Sequence, residues 1–170
     1  GGAGYADGAA GAERVDAMRE IIRLAAELRV PFVSTAPGLA PGMDCEREAA
    51  RLREALAILA DEADRARVIV AVETCGLSAA DAKTLIADVG GPSLAACCDT
   101  GALLMQGGDP HAVGGELADR VQLVRARDAV PGTAEAPGYE VAMGEGHLDA
   151  ARFLAALDAA GFHGDIVLSR

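Results

Sequence analysis

Tryptophan is absent from this 170-residue chain, and all aromatics together reach only 3%. Lysine is almost missing too: Lys83 stands alone, so arginine carries nearly all the positive charge. With 15 basic against 26 acidic residues, the formal net charge is −11. That balance argues against nucleic acid as a partner, because binding a phosphate backbone needs a basic face. Long apolar runs are lacking as well. None approaches the ~20 residues that a membrane-spanning helix needs, and no signal-peptide pattern is present. The four cysteines, Cys45, Cys75, Cys97 and Cys98, show no C-x-x-C spacing, and the adjacent pair would face opposite sides of a strand. This argues against a zinc site or a disulfide framework and leaves thiols packed as small apolar residues. The expectation is a soluble, cytoplasmic protein with no membrane partner.

What the sequence does hold is a core. Hydrophobic residues make up 51% of the chain, too many for intrinsic disorder, and its length suffices for one domain with a buried interior. With so few aromatics, that interior must be built from Leu, Val, Ile and abundant Ala, which suits helices layered on a sheet. The first eleven residues read as a glycine-rich loop or frayed end. The spacing then predicts helices over 12–28, 45–65, 79–89, 110–118 and 148–160. Between them lie five strand candidates, at 30–38, 68–73, 93–99, 120–127 and 165–169. Residues 128–146 read as a long loop. The alternation predicts an α/β protein with a parallel sheet and right-handed crossovers, a single domain spanning 1–170.

Two of those strands end in an acid. V-I-V-A-V-E-T carries Glu73 and S-L-A-A-C-C-D-T-G carries Asp99, with a helical crossover between them. Parallel strands joined this way place their ends along one rim, where α/β barrels carry their reacting groups. Glu73 and Asp99 are therefore candidates to hold a divalent metal or a polyol.

Six stretches, in order, resemble the xylose-isomerase-like TIM barrels, the family of sugar phosphate isomerases and epimerases. They are A-A-E-L-R-V-P-F-V-S-T-A-P-G, V-I-V-A-V-E-T, C-C-D-T-G-A-L-L-M-Q-G-G-D-P, V-Q-L-V-R-A-R-D, M-G-E-G-H-L-D and A-A-G-F-H-G-D-I-V-L-S. The resemblance implies a (β/α)8 TIM barrel present here from its third helix to its eighth strand, short of the ~250 residues typical of that fold. The chain starts at Gly1 rather than Met, so the expectation is a domain incomplete at its N-terminus. An open parallel sheet exposes two edges, and a homo-oligomer that covers them is a further expectation.

The resemblance also implies a ligand set. Glu, Asp, His and Glu from four successive strands hold one manganese, magnesium, cobalt or zinc ion, and two carboxylates pass a proton beside a carbonyl. Glu73 matches the first position, as metal ligand and catalytic acid/base, and Asp99 matches the second as metal ligand. Arg125 stands where the His is expected, Ser169 where the second Glu is expected, and Ala102 where a substrate-contacting His is expected. Two carboxylates alone hold a hard cation poorly, and a guanidinium beside them would act as a built-in cation. Reverting Arg125→His and Ser169→Glu together would then be expected to restore metal binding. Arg125, and Asp128 three residues on, become candidates for substrate binding. His111, His147 and His163 fall near helix starts or turns, where solvation or capping is expected. Gly144, Glu145 and Gly146 read as a rim turn, with Glu145 in reach of the site.

The expected function is an isomerase or epimerase of a small-molecule sugar, sugar phosphate or keto-polyol with a degraded metal site. The divalent cofactor belongs there only if that site works. The alternative is a non-catalytic relative engaged in ligand binding or assembly, with Arg125 in the metal's place. A DNA-repair endonuclease of the same superfamily is disfavoured by the acidic charge and the missing histidines.

Overall fold

A computed structural model describes residues 4–38, 46–74 and 76–169, without the side chains of residues 113 and 114. Cys45 and Cys75 lie outside the described residues, as does the expected start of the second helix. The elements run α1 (Gly8–Leu28), β1 (Phe32–Thr35), α2 (Glu46–Ala66), β2 (Ile69–Glu73), α3 (Ala79–Val89), β3 (Leu94–Asp99) and α4 (Thr100–Met105). They continue as α5 (Pro110–Glu116), β4 (Val121–Ala126), β5 (Asp128–Val130), β6 (Tyr139–Val141), α6 (Ala150–Ala159) and β7 (Asp165–Leu168). All five expected strands are present in one sheet, in the order β1-β2-β3-β4-β7. No helix among the described residues is long and apolar enough to cross a membrane.

The chain forms two compact units, Gly1–Val72 with Thr84–Ala95, and Glu73–Lys83 with Ala96–Arg170. In the first, α1 and α2 each bury one stripe at helical spacing. Val15, Met18, Ile22 and Ala25 lie on α1, and Leu52, Leu56, Leu59 and Ala63 lie on α2. Arg19 and Arg23 of α1 both reach Glu62 of α2, at 3.1 and 2.9 Å. The pair β1–β2 is parallel, with Val33 opposite Val70. α1 begins at Gly8, inside the stretch expected to be a loop. The reason is Tyr5, a buried side chain whose hydroxyl shares a 2.7 Å hydrogen bond with Thr35 and pins the preceding turn.

β3 is buried along its whole length, and in the second unit, which holds it from Ala96 on, β4 pairs with β3 and β7 in parallel. Cys97 and Cys98 are buried thiols of β3. Burial, reinforced by Glu73 and Asp99, pushes the Cys97 thiol far above its usual range, which makes it inert packing rather than a nucleophile. The expected loop after β4 contains an antiparallel hairpin, with Asp128 opposite Val141 and Val130 opposite Tyr139. Its strands are three residues each, too short for an alternating pattern to register. His111 also departs from expectation. Its ring packs edge-on against Phe153 of α6 at 6.2 Å, and its Nδ1 is buried with no partner. His147 and His163 are exposed, as expected.

Candidate functional site

Every site residue lies in the second unit. Glu73 ends β2, and the next residue, Thr74, donates its N–H to the Cys97 carbonyl at 3.1 Å. Asp99 ends β3, and the parallel register sets Arg125 of β4 opposite it. Arg125 Nη1 donates to Glu73 Oε1 at 2.9 Å and lies 3.7 Å from Asp99 Oδ2. The expected juxtaposition of Glu73, Asp99 and Arg125 is thus one connected cluster.

Asp99 has a stronger partner that the sequence reading passed over. Arg127, just beyond β4, donates Nε and Nη2 to Asp99 Oδ1 at 3.0 and 2.9 Å, and Nη2 to Oδ2 at 2.8 Å. Its Nη1 donates to Glu140 Oε2 at 2.7 Å, which draws the hairpin strand β6 into the cluster. The backbone of Arg127 is clamped by the buried Thr100, whose hydroxyl donates to its carbonyl at 2.6 Å and accepts from its N–H at 2.9 Å. Gly101 makes room for the side chain: a Cβ there would stand 2.8 Å from Arg127 Cβ. Burial works against the Arg127 charge, but the bonds to Asp99 and then Glu140 outweigh it and hold the guanidinium firmly protonated.

The charges therefore alternate as Glu73, Arg125, Asp99, Arg127, Glu140. Asp99 is only 1% exposed, and its Oδ1 also accepts the Ala102 N–H at 2.9 Å, capping α4. A divalent ion needs several oxygen donors with lone pairs to give. Here both oxygens of Asp99 and one of Glu73 face guanidinium N–H groups. The hydroxyl of Ser169 is buried with no partner, and it is neutral, a poor substitute for a carboxylate. Among the described residues, no three His, Cys, Asp or Glu side chains are grouped to hold a metal. The residues present do not fit a resident divalent ion.

Asp128 is buried and is held by a separate set of donors. Its Oδ1 accepts the N–H groups of Ala129 and Leu148, and its Oδ2 those of Gly144 and Gly146, all at 2.9 Å. Burial opposes its ionisation, but these four donors outweigh that cost and hold the carboxyl below the usual carboxylate range. Gly144 and Gly146 thus serve the geometry of a turn wrapped on Asp128, while Glu145 between them is exposed. A Cβ at Gly146 would collide with Asp128 Oδ1 and stand 2.7 Å from the Ala129 carbonyl. Gly146→Ala is accordingly expected to cost about 2 kcal/mol in chemical denaturation, and a variant as stable as the parent would show the turn to be adaptable.

Of the residues passed over, Arg127 had a signal. Positions two apart on a strand share a face, so R-A-R places both arginines together. Thr100 and Glu140 had none, because they meet Arg127 only through tertiary packing and the hairpin.

No curated protein matches the sequence. Among solved structures, a xylose isomerase domain protein from Planctomyces limnophilus superposes with a TM-score of 0.89 at 25% identity, covering 98% of this chain and 62% of that one. D-allulose 3-epimerase from Methylomonas sp., in complex with D-allulose, gives 0.79 at 19% identity, covering 98% of this chain and 59% of that one. A xylose isomerase-like TIM barrel protein from Mycobacterium smegmatis in complex with magnesium gives 0.78 at 14%, covering 96% and 62%. The chain therefore spans less than two thirds of the length of these structures. The model of the xylose isomerase-like TIM barrel matches residues 2–169, and the chain belongs to that family, its five-stranded parallel sheet being part of such a barrel.

Proposed function

We propose that this chain binds a small sugar, sugar phosphate or keto-polyol at the rim marked by Glu73 and Arg125, as a non-catalytic relative of the isomerases and epimerases. The observation that carries the reading is the 2.9 Å contact between Arg125 Nη1 and Glu73 Oε1. Moving a proton beside a carbonyl needs a positioned base and a second group to complete the exchange. Glu73 is held by a guanidinium, and Ser169, in the second acid's place, offers only a neutral hydroxyl.

Binding asks less of the site. Arg125 is 35% exposed, and among the described residues its Nε and Nη2 carry no bond, so both can donate to a ligand. Glu73 keeps Oε2 as an acceptor beside them. A donor and an acceptor side by side suit the adjacent hydroxyls of a polyol. Asp128, expected to touch substrate, would act here by shaping the rim turn. The neighbouring fold of an epimerase bound to D-allulose supports a sugar as the ligand class.

D-Allulose is a suitable probe. Saturation-transfer NMR in D2O should show it binding, with the signal lost in Arg125→Ala, and no deuterium should enter its C–H positions on prolonged incubation. Deuterium uptake would overturn the non-catalytic reading in favour of an isomerase. Absence of any binding to the parent chain would overturn the sugar reading itself.

A further inference from the structure

We infer that Arg125 and Arg127 together form a permanent cation built into this site, one that excludes divalent metal from Glu73 and Asp99. The inference goes beyond sugar binding and does not depend on it. Three carboxylates and two guanidiniums alternate through the cluster, leaving one net negative charge where a bare acidic pair and Glu140 would leave three. A divalent ion sits about 2.0–2.6 Å from its oxygens. Arg127 Nη2 already stands 2.8 and 2.9 Å from the two oxygens of Asp99, so an ion would have to displace it or lie against like charge. Acid or base offers no way round, because arginine does not deprotonate in proteins.

The two arginines are unequal. Arg127 makes three bonds to Asp99 and one to Glu140, is 17% exposed, and is clamped through its backbone by Thr100. Arg125 makes one bond, to Glu73, and is 35% exposed. It follows that restoring the family's ligand types at positions 125 and 169 does not reopen the site while Arg127 stays. That differs from the outcome expected of the sequence alone.

The six-line electron paramagnetic resonance signal of aqueous manganese fades when the ion is bound, which gives a readout independent of turnover. Titrated with the parent chain, the signal should keep its full amplitude. It should also survive Arg125→His with Ser169→Glu. Adding Arg127→Gln, which retains a neutral donor for Asp99, should remove the signal of one manganese per chain and tighten affinity by at least about tenfold. Stoichiometric manganese binding by the parent chain overturns the inference, whatever the variants do. So does equal binding by the double and triple variants, or a triple variant with parental circular dichroism that takes no manganese. If the triple variant does not fold, the parent and double-variant titrations decide the matter alone: full signal in both upholds the inference, and bound manganese in either overturns it.

Discussion

Asp128→Ala is expected to lower the unfolding free energy by about 4 kcal/mol, which would make it among the most damaging single changes in this chain. One buried carboxylate accepts four backbone N–H groups, from Ala129, Gly144, Gly146 and Leu148. Bonds to a charged group contribute roughly 1.5–3 kcal/mol each. Water can reach Gly144 once the turn loosens, so the full sum is not lost. The N–H of Leu148 has no such recourse, because that residue is buried. Urea denaturation at neutral pH measures the loss, and a cost below about 1 kcal/mol would mean the turn closes without its acid.

The same residue gives the protein an acid-sensitive component of stability. Asp128 is held below the usual carboxylate range in the folded chain, so folding favours its charged form. Its contribution is fully present above the ordinary aspartate value of about 4. It falls away as pH drops through the lower folded value, because the unfolded chain then binds the extra proton. Denaturation midpoints compared at pH 7 and pH 3 should fall less steeply in Asp128→Ala than in the parent. An unchanged acid slope would point to other carboxylates as the acid-labile groups.

Arg127→Met is expected to cost about 3 kcal/mol, because it leaves the Asp99 carboxylate buried without its main counter-charge. Asp99 would keep only the Ala102 N–H and the more distant Arg125 at 3.7 Å. Arg127→Lys should recover part of the loss but not all of it, since an ammonium cannot reproduce three bonds from one planar fork. Arg125→Met provides the contrast. Its bond to Glu73 is single and more open to solvent, Arg125 being 35% exposed, and its removal should cost no more than about 1 kcal/mol. Thermal unfolding of the variants ranks them directly. If Arg125→Met proved as harmful as Arg127→Met, the hierarchy argued from burial and bond count would be wrong.

The two acids of this site were legible because each follows an apolar strand, and a strand end fixes where a side chain emerges. Helical spacing likewise revealed α1 and α2, since each shows one apolar stripe to its partner. Arg125 followed from the resemblance, which expects a His at its position near the end of β4. Arg127 lies two residues on, on the same face of the strand, but it matches no ligand position of the family, so the resemblance gave it no role. The hairpin β5–β6 left no trace, because three-residue strands are fixed by pairing and by Asp128 rather than by local preference. Glu140 was hidden with it. His111 was misplaced for a related reason: a polar residue near a helix start looks solvated until its neighbour, Phe153, is known.

Asp99 serves two arginines and the first turn of α4 at once, and this ties its evolutionary history to theirs. A lineage that trades Arg127 for a smaller residue strands a buried acid, and one that trades Asp99 first strands a guanidinium and uncaps a helix. Neither single step is neutral, so passage between an arginine-filled and a metal-filled site must go through paired changes or through a weakened intermediate. Positions 99, 125, 127 and 140 should accordingly be inherited as a set, and a relative that has lost the arginine at 127 should have no reason to keep the glutamate at 140.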